Sequence, residues 1–267
     1  MDIYELIGFI IGDGNIYHSE KHKIWRLELS GNVDEDYDYF LQIKKFLVDY
    51  TRLNPQFYIR NSKKGRCLTI AFYNKKFIDE LISYGLPVGK KTFTITIPKG
   101  ILEKDYQMIS LVRGLFEADG CIYFSKSKKT LYPTYPRVEI KTSSPNLLEQ
   151  LKTYLKGCGF NIYTRKSISD RTFAVGVSGE KSIEKWREIF GLRSLKNQTK
   201  YDFWKTKGFY IPRTPLKSRM QYAHVAQWLL RSVAARLFPG SIPGVRFYPK
   251  VKSALFGRYL LATKGTH

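Results

Sequence analysis

Cysteine is scarce in this chain of 267 residues, which contains only Cys67, Cys121 and Cys158. Their odd number, their wide spacing and the lack of histidine clusters beside them speak against a disulfide framework and against a zinc site. No apolar run approaches the roughly 20 residues that a membrane-spanning helix needs, and the first residues lack the basic start of a secretory signal. We therefore expect a soluble intracellular protein, in a prokaryotic cytoplasm or an organelle matrix, with no membrane partner.

Acidic residues are also in deficit. The chain has 23 Asp and Glu against 45 Lys and Arg, a formal net charge of +22. An excess of this size predicts a polyanionic partner. A hydrophobic content of 43%, with 19 Tyr and 17 Phe, is typical of a globular protein and excludes wholesale disorder.

One sequence pattern occurs twice, as an apolar helical stretch that ends in Asp-Gly, at residues 6–14 and again at residues 112–120. Each copy has two small residues four positions apart, which would form a smooth stripe along a helix. These pairs are Gly8 with Gly12 and Gly114 with Ala118. Such stripes allow two helix backbones to approach closely, so we expect the two copies to pack against each other.

This pairing would bring Asp13 and Asp119 together at the C-terminal ends of two helices. The helix dipole is already negative there and the two carboxylates repel each other. The arrangement is costly unless a cation lies between them, so the sequence predicts a cation at this point.

The same order of predicted elements follows each copy: strand, strand, helix, strand, strand and helix. In the first half these elements are helix 3–12, strands 15–18 and 24–30, helix 34–50, strands 56–60 and 66–73, and helix 75–84. In the second half they are strands 121–125 and 137–142, a helix that begins after Pro145, a hairpin at 160–177 and helix 182–190. The offset between matching positions is 106 residues, as from Asp13 to Asp119, from Gly85 to Gly191 and from Lys90 to Lys196, which indicates a duplicated unit.

We divide the chain into a first repeat at 1–90, a linker at 91–105, a second repeat at 106–212 and a basic C-terminal extension at 213–267. The extension contains ten Lys or Arg and no acidic residue. Residues 222–237 could form a basic amphipathic helix within it. The pattern leaves open whether the extension binds DNA or is a poorly ordered appendage.

Two Gly/Ala-striped helices that end in Asp-Gly, each opening a ββ-helix-ββ-helix unit, resemble the LAGLIDADG homing endonucleases of the single-chain, two-repeat type. The resemblance covers residues 1–212. It implies an α+β fold of two pseudo-symmetric αββαββα repeats, in which the motif helices pack at a pseudo-twofold axis and saddle-shaped antiparallel sheets straddle the DNA.

The function implied by this resemblance is that of a monomeric, site-specific endonuclease for double-stranded DNA. It would recognise a long asymmetric target, hydrolyse a phosphodiester in both strands with a divalent metal, leave 3′ overhangs and promote intron homing. Two alternatives on the same fold stay open. One is a maturase whose partner is its own intron RNA, and the other is a catalytically silent DNA-binding regulator.

By resemblance, the metal ligands are the carboxylates of Asp13 and Asp119 and the backbone carbonyls of Gly12 and Ala118. These hard oxygen ligands suit Mg²⁺, with Mn²⁺ as a substitute. Ile11 occupies a motif position that is usually acidic, whereas its counterpart in the second copy, residue 117, keeps the acid.

Basic and polar residues near this metal site are also implied. Lys90 and Lys196 match the region where the family places a basic residue, with Lys91 as a close competitor of Lys90. Ser30 and Lys141 match a sheet position that often orients water.

DNA contacts are expected from strand residues that alternate with apolar neighbours and so face solvent. The candidates are Arg26, Glu28, Ser30, Arg60, Arg66, Arg137, Glu139, Lys141, Arg165 and Lys166. Arg and Lys can pair with guanine and Glu with cytosine. The basic loop at 125–135 and the turn at 61–65 are expected to hold phosphates, whereas Tyr37, Phe40 and Trp186 are expected in the core.

Overall fold

The computed structural model describes residues 1–62 and 65–221, in which the predicted order of elements occurs twice. The first repeat consists of α1 (Ile3–Asp13), β1 (Gly14–Ser19), β2 (Ile24–Asn32), α2 (Val33–Thr51), β3 (Gln56–Ser62), β4 (Gly65–Phe72) and α3 (Lys75–Ser83). A short helix, α4 (Lys99–Leu102), lies in the connection. The second repeat consists of α5 (Asp105–Asp119), β5 (Gly120–Ser125), β6 (Tyr135–Thr142), α6 (Pro145–Gly157), β7 (Ile162–Ser167), β8 (Thr172–Ser178), α7 (Glu180–Ile189) and α8 (Leu195–Lys207). The predicted α+β class is confirmed.

Each repeat contains one antiparallel four-stranded sheet, with strand orders β1-β2-β4-β3 and β5-β6-β8-β7. The two sheets share one register: Gly14 lies opposite Leu29, and Gly120 lies opposite Ile140. The loop between the first two strands runs over residues 20–23 in one sheet and over 126–134 in the other. Because of these additional residues, a position on β2 corresponds to the position on β6 that is about 111 residues later, not 106.

Local signals explain where the helices begin. Asp2 caps α1 by accepting a hydrogen bond from the backbone N–H of Glu5 (2.9 Å), and Ser144 caps α6 in the same way, ahead of a proline in its first turn. A helix was predicted at 34–50, and α2 begins at Val33, because the side chain of Asn32 caps it by accepting a hydrogen bond from the N–H of Asp34 (2.8 Å).

The central contact of the fold is the packing of α1 against α5. A β-carbon on Gly8 would overlap the carbonyl oxygen of Leu111, and one on Gly114 would overlap the carbonyl oxygen of Glu5. A β-carbon on Gly12 would come within 2.6 Å of the β-carbon of Ala118. The small residues are thus required at these positions because the two backbones are in contact, as the stripe predicted.

A buried carboxylate also connects the two repeats. Glu5 of α1 is completely buried and accepts a hydrogen bond from the hydroxyl of Tyr39 (3.2 Å). It also pairs with Arg113 of α5 (3.4 Å) and with the guanidinium of Arg193 (3.7 Å). Burial raises the pKa of Glu5, while the two guanidinium groups lower it again. A buried charge of this kind is tolerated only with such partners.

The expected core positions are mostly confirmed. Phe40 and Trp186 are buried, but Tyr37 is 45% exposed and lies edge-on to Phe57 at the surface. Its position on α2 turns it to the outside of the helix, so its assignment to the core was wrong. The three cysteines are free thiols. In the described residues, no helix is long and apolar enough to cross a membrane.

The chain after α7 was predicted only in part. Helix α8 was not anticipated, because its hydrophobic residues lack a clear helical period. The side chain of Arg219 is only 2% exposed and pairs with Glu35 (2.5 Å) and with the hydroxyl of Thr199 (3.1 Å). The first residues of the basic extension are therefore part of the fold, whereas the predicted helix at 222–237 lies outside the described residues.

Because α1 and α5 are in contact at Gly8, even one added methyl group there should destabilise the fold strongly. We expect Gly8→Ala to lower the free energy of unfolding by about 1–3 kcal/mol or more, because the added methyl group would force two rigid backbones apart. Gly157→Ala is the matched control, since a β-carbon there meets no atom within 4 Å, and it should be neutral or slightly stabilising. Urea unfolding of both variants measures this difference. Equal stability of the two variants would show that the helices are not in contact at Gly8.

Candidate active site

The packing of α1 on α5 brings the two motif aspartates together at the ends of their helices. A β-carbon on Gly12 would lie 2.9 Å from the Oδ2 atom of Asp119. The side chain of Asp13 reaches solvent, and that of Asp119 is half-buried. Loss of hydration and then repulsion from Asp13 raise the pKa of Asp119 to about 7. The pKa of Asp13 is also raised, first by loss of hydration. The two carboxylates therefore form an electrostatically costly pair, as expected.

A lysine from each repeat compensates this charge. The Nζ atom of Lys91 donates to the carbonyl oxygens of Ile11 (2.6 Å) and Gly12 (2.7 Å) at the end of α1. The Nζ atom of Lys196 lies 3.4 Å from the carbonyl oxygen of Glu117 near the end of α5. Residues 11 and 117 are 106 positions apart, so the two ammonium groups occupy equivalent places.

Lys91 rather than Lys90 is thus the counterpart of Lys196. After the Gly-Leu pair that both repeats share, the first repeat has one additional residue before its inward-facing lysine. The side chain of Lys90 is exposed, whereas that of Lys91 is half-buried beside the aspartates. The fixed offset of 106 residues led to the wrong neighbour, because a one-residue insertion is invisible when both candidates are lysines.

Both lysines lower the pKa of both aspartates, but to different extents. Lys196 is the cation that acts most strongly on the pKa of Asp13, and Lys91 is the one that acts most strongly on Asp119. Burial lowers the pKa of Lys91. Burial also acts to lower that of Lys196, but the carboxylate of Asp36, 2.7 Å away, raises it. We call Asp119 with Lys91 one half-site and Asp13 with Lys196 the other.

A cavity of about 200 Å³ opens beside one half-site. Its lining includes Asp119, Lys91, Gly12 and Lys141. Lys141, expected near the reacting water, lines the same cavity as Asp119. Its equivalent in the first sheet by strand register is Ser30, so the two half-sites carry different polar groups at this position.

The donor set around the aspartates fits a hard divalent cation. It consists of carboxylate oxygens and main-chain carbonyl oxygens, which Mg²⁺ and Ca²⁺ prefer. The carbonyl of Gly12 accepts from Lys91 and has a second lone pair to offer. Among the described residues, no three His, Cys, Asp or Glu side chains converge. An ion here would therefore use Asp13 and Asp119 together with backbone oxygens.

The remaining acidic motif residue has a structural role that the sequence did not reveal. Glu117 is 2% exposed and accepts hydrogen bonds from the N–H of Arg193 (2.7 Å), the hydroxyl of Ser194 (2.6 Å) and the side-chain amide of Asn197 (2.9 Å). These contacts fix the segment that leads into α8 and carries Lys196. The first motif has Ile11 at this place, and it is simply buried in the core.

The open face of the first sheet has the predicted alternation. Leu27 and Leu29 are buried on the helix side, so Arg26, Glu28 and Ser30 lie on the other side. Glu28 pairs with Arg26 (3.0 Å) and more loosely with Arg60 (3.8 Å). These side chains keep part of their surface exposed and remain candidates for DNA contacts.

The second sheet differs from the prediction at Glu139. This residue is 1% exposed and accepts hydrogen bonds from the hydroxyls of Tyr123 (2.9 Å) and Tyr163 (3.1 Å), and Arg165 binds its other oxygen (2.6 Å). Glu139 is therefore not free to accept a hydrogen bond from cytosine. Arg137 lies over the rings of Tyr135 (5.6 Å) and Tyr163 (5.3 Å) on the same face.

Two of the predicted contact residues lie on the opposite face. Successive strand residues alternate, so Lys166 points away from Arg165, and its ammonium group lies 5.9 Å from the ring of Phe173. By the same rule, Arg66 shares the face of Leu68, which is in the core. Both cations are exposed near the tips of hairpins. From there they could contact a phosphate, but not the edge of a base that faces the open side of the sheet. The basic loop between β5 and β6 carries the exposed Lys126, Lys128 and Lys129.

Comparison with known proteins gives one family and one fold. The LAGLIDADG-like domain family matches residues 107–191, within the second repeat, and there agrees with the resemblance seen in the sequence. No curated protein matches the chain significantly. The fold is similar to that of mesophilic variants of the homing endonuclease I-DmoI (TM-score 0.51, 18% identity, 71% of this chain and 95% of that chain). It is also similar to I-SmaMI bound to uncleaved DNA target in the presence of calcium ions (TM-score 0.52, 10% identity, 78% and 90%).

The raised pKa of Asp119 predicts how stability depends on pH and metal. Its ionised form destabilises the folded state, so stability should fall as the pH rises from about 4 through about 7. We expect Asp119→Asn to raise the melting temperature at pH 8 in EDTA by several degrees and to have little effect at pH 4. Mg²⁺ should raise the melting temperature of the unchanged protein but much less that of the variant.

Asp49→Asn is a suitable control, because this exposed residue lies on the surface of α2 and pairs there with Lys45 (2.8 Å). It should leave both the pH dependence and the effect of Mg²⁺ as they are. Identical melting curves of Asp119→Asn and the unchanged protein, with and without Mg²⁺, would contradict the assignment of a strained cation site.

Proposed function

We propose that this chain is a site-specific homing endonuclease that binds double-stranded DNA as a monomer and hydrolyses a phosphodiester in each strand. The observation that carries the proposal is that Asp13 and Asp119 meet at two packed helix ends, where Lys91 donates to the carbonyl of Gly12 (2.7 Å) and Lys196 lies 3.4 Å from the carbonyl of Glu117. Two half-sites in one chain match a reaction on two strands. A further structure of I-DmoI with a similar fold is a complex with DNA and Ca (TM-score 0.50, 18% identity, 70% of this chain and 87% of that chain).

Asp13, Asp119 and the carbonyls of Gly12 and Ala118 would hold the metal. When bound, a divalent cation such as Mg²⁺ supplies Lewis acidity and lowers the pKa of water. The protein residues supply position and charge. In their ionised form, the aspartates accept hydrogen bonds from the attacking water and orient it toward phosphorus.

The two lysines stabilise charge on the phosphate. An ammonium group held by backbone carbonyls, as Lys91 is, cannot swing away and stays directed at the site where charge develops. Lys196 is fixed by Asp36 and by the segment that Glu117 anchors. Both positions are set before DNA arrives, which reduces the reorganisation that the reaction requires.

The surroundings of the half-sites support an asymmetric target. One half-site contains Asp36 paired with Lys196 (2.7 Å), whereas Lys141 lines the cavity beside the other half-site. The loops between the first two strands also differ in length and charge. A chain with unequal halves reads two unequal half-sequences. Cleavage across the minor groove with 3′ overhangs belongs to the same proposal.

The retention of both aspartates with their lysines supports a nuclease over a silent regulator, because a protein that only binds DNA does not need this charged pair. An RNA-binding maturase remains an outcome of the tests below rather than a second proposal.

The first test is cleavage. A target is selected from a randomised DNA library by binding in Ca²⁺ and is then incubated with Mg²⁺. The unchanged protein should cut both strands, and Asp13→Asn or Asp119→Asn should lower the rate of double-strand cleavage by on the order of 100-fold or more while binding persists. Gel analysis with each strand labelled separately measures both cuts. Normal cleavage by both variants would exclude the proposed site, and binding of intron RNA in place of DNA would favour the maturase.

A second test separates the two neighbouring lysines. Lys91→Met should lower the cleavage rate by about 10- to 1,000-fold, because it removes a cation that is fixed beside Asp119. Lys90→Met removes the same charge from an exposed position and is the matched control, with little expected change in rate. The rates are measured with saturating protein, so that differences in DNA affinity do not contribute. A larger effect of Lys90→Met would restore the assignment made from the sequence repeat.

A further inference from the structure

Arg165, a strongly exposed cation on the second sheet, is held from below by a buried carboxylate. The side chain of Arg165 is 56% exposed, and that of Glu139 is completely buried. One nitrogen of the guanidinium group, Nη2, donates to Oε1 of Glu139 at 2.6 Å. Hydrogen bonds to an ionised group are short and strong, so this contact fixes the direction of the guanidinium.

The carboxylate is itself fixed from its other side. Its Oε2 atom accepts hydrogen bonds from the hydroxyls of Tyr123 (2.9 Å) and Tyr163 (3.1 Å), and these hydroxyls lie 3.0 Å from each other. Both oxygens of Glu139 are thus engaged. A buried polar network in which every group has a partner is rigid, because any rotation leaves a group unpaired in a medium of low dielectric constant.

A glycine makes room for this arrangement. Tyr163 lies opposite Gly176 in the sheet, and a β-carbon on Gly176 would come within 2.7 Å of the Tyr163 ring and hydroxyl. In the first sheet the equivalent pair is Gln56 with Ala71, and the position of Arg165 is taken by Tyr58. Glu28 and Tyr17 occupy the positions of Glu139 and Tyr123, but Gln56 replaces Tyr163, so among the described residues the buttress of Glu139, Tyr123 and Tyr163 is complete only in the second repeat.

We propose that Glu139 is a positioning residue that aims Arg165 at a guanine in the half of the DNA target that the second repeat reads. This inference rests on the proposed DNA-binding function and deepens it. Arginine has five N–H donors, and a bidentate contact with guanine O6 and N7 needs two of them, so a guanidinium that gives one donor to Glu139 still has enough. Since the first repeat has Tyr58 at this place, the matching base pair in the other half of the DNA target is read differently.

The test is a specificity profile measured by binding, which does not depend on cleavage. The selected target is replaced, one base pair at a time, by every alternative, and the dissociation constants are measured in Ca²⁺. Arg165→Ala should abolish a preference for guanine at one position in one half of the DNA target. The discrimination between guanine and the other bases at that position should fall by about 10-fold. Glu139→Gln keeps the shape of the side chain but removes its charge, and it should lose discrimination at the same position.

Lys166→Ala is the matched control, because it removes a positive charge from the same strand but on the opposite face. It should weaken binding to all targets about equally. A melting curve of Glu139→Gln establishes that the variant is folded. Tyr163→Phe, which removes one hydroxyl from the buttress, should give a weaker loss at the same position.

The outcomes are distinct. Loss of discrimination at one shared position supports the inference. A uniform loss of affinity in Glu139→Gln, or a change at positions that Arg165→Ala does not affect, overturns it while leaving the proposed function intact. Failure of the unchanged protein to bind any DNA overturns both.

Discussion

The contact between the two motif helices is the constraint on which the rest of the structure depends. Gly8 and Gly114 allow the backbones of α1 and α5 to touch, and this contact holds together two repeats that each have their own sheet. It also forces Asp13 and Asp119 into each other's field. Close packing thus holds two like charges near each other, because the fold prevents the carboxylates from separating.

Buried carboxylates stabilise the surroundings of this contact. Glu5 bridges the two helices, Glu117 anchors the segment that carries Lys196, and Glu139 fixes Arg165. Each has at least three donors around it, which offsets the cost of removing the charge from water. The protein is short of acidic residues, yet these three are placed where one carboxylate can order several basic or polar groups. The excess of positive charge remains on the surface, where it can face a polyanion.

Much of the fold could be predicted from the sequence, because helix and strand periods depend on neighbouring residues. The strand Ile24–Asn32 was recognised from its alternation, and the offset between Asp13 and Asp119 predicted the second repeat. Side-chain environments were harder to predict. Glu139 alternates with apolar residues and so reads as exposed, but Tyr123 of β5 and Tyr163 of β7 cover it. That cover depends on pairing between β5, β6, β7 and β8, which a local pattern does not contain.

The equivalence of Lys91, rather than Lys90, to Lys196 shows how the two halves diverged. A duplicated chain keeps its offset where packing is tight, as at the motif helices, and loses it where a loop can absorb an insertion. The change from 106 to 111 residues between β2 and β6 and the single additional residue before Lys91 are both of this kind. Helix contacts thus remain symmetric while loops and open-face residues differ. Because the loops and open faces are the surfaces left to contact a partner, divergence of the halves changes what is recognised without disturbing the paired centre.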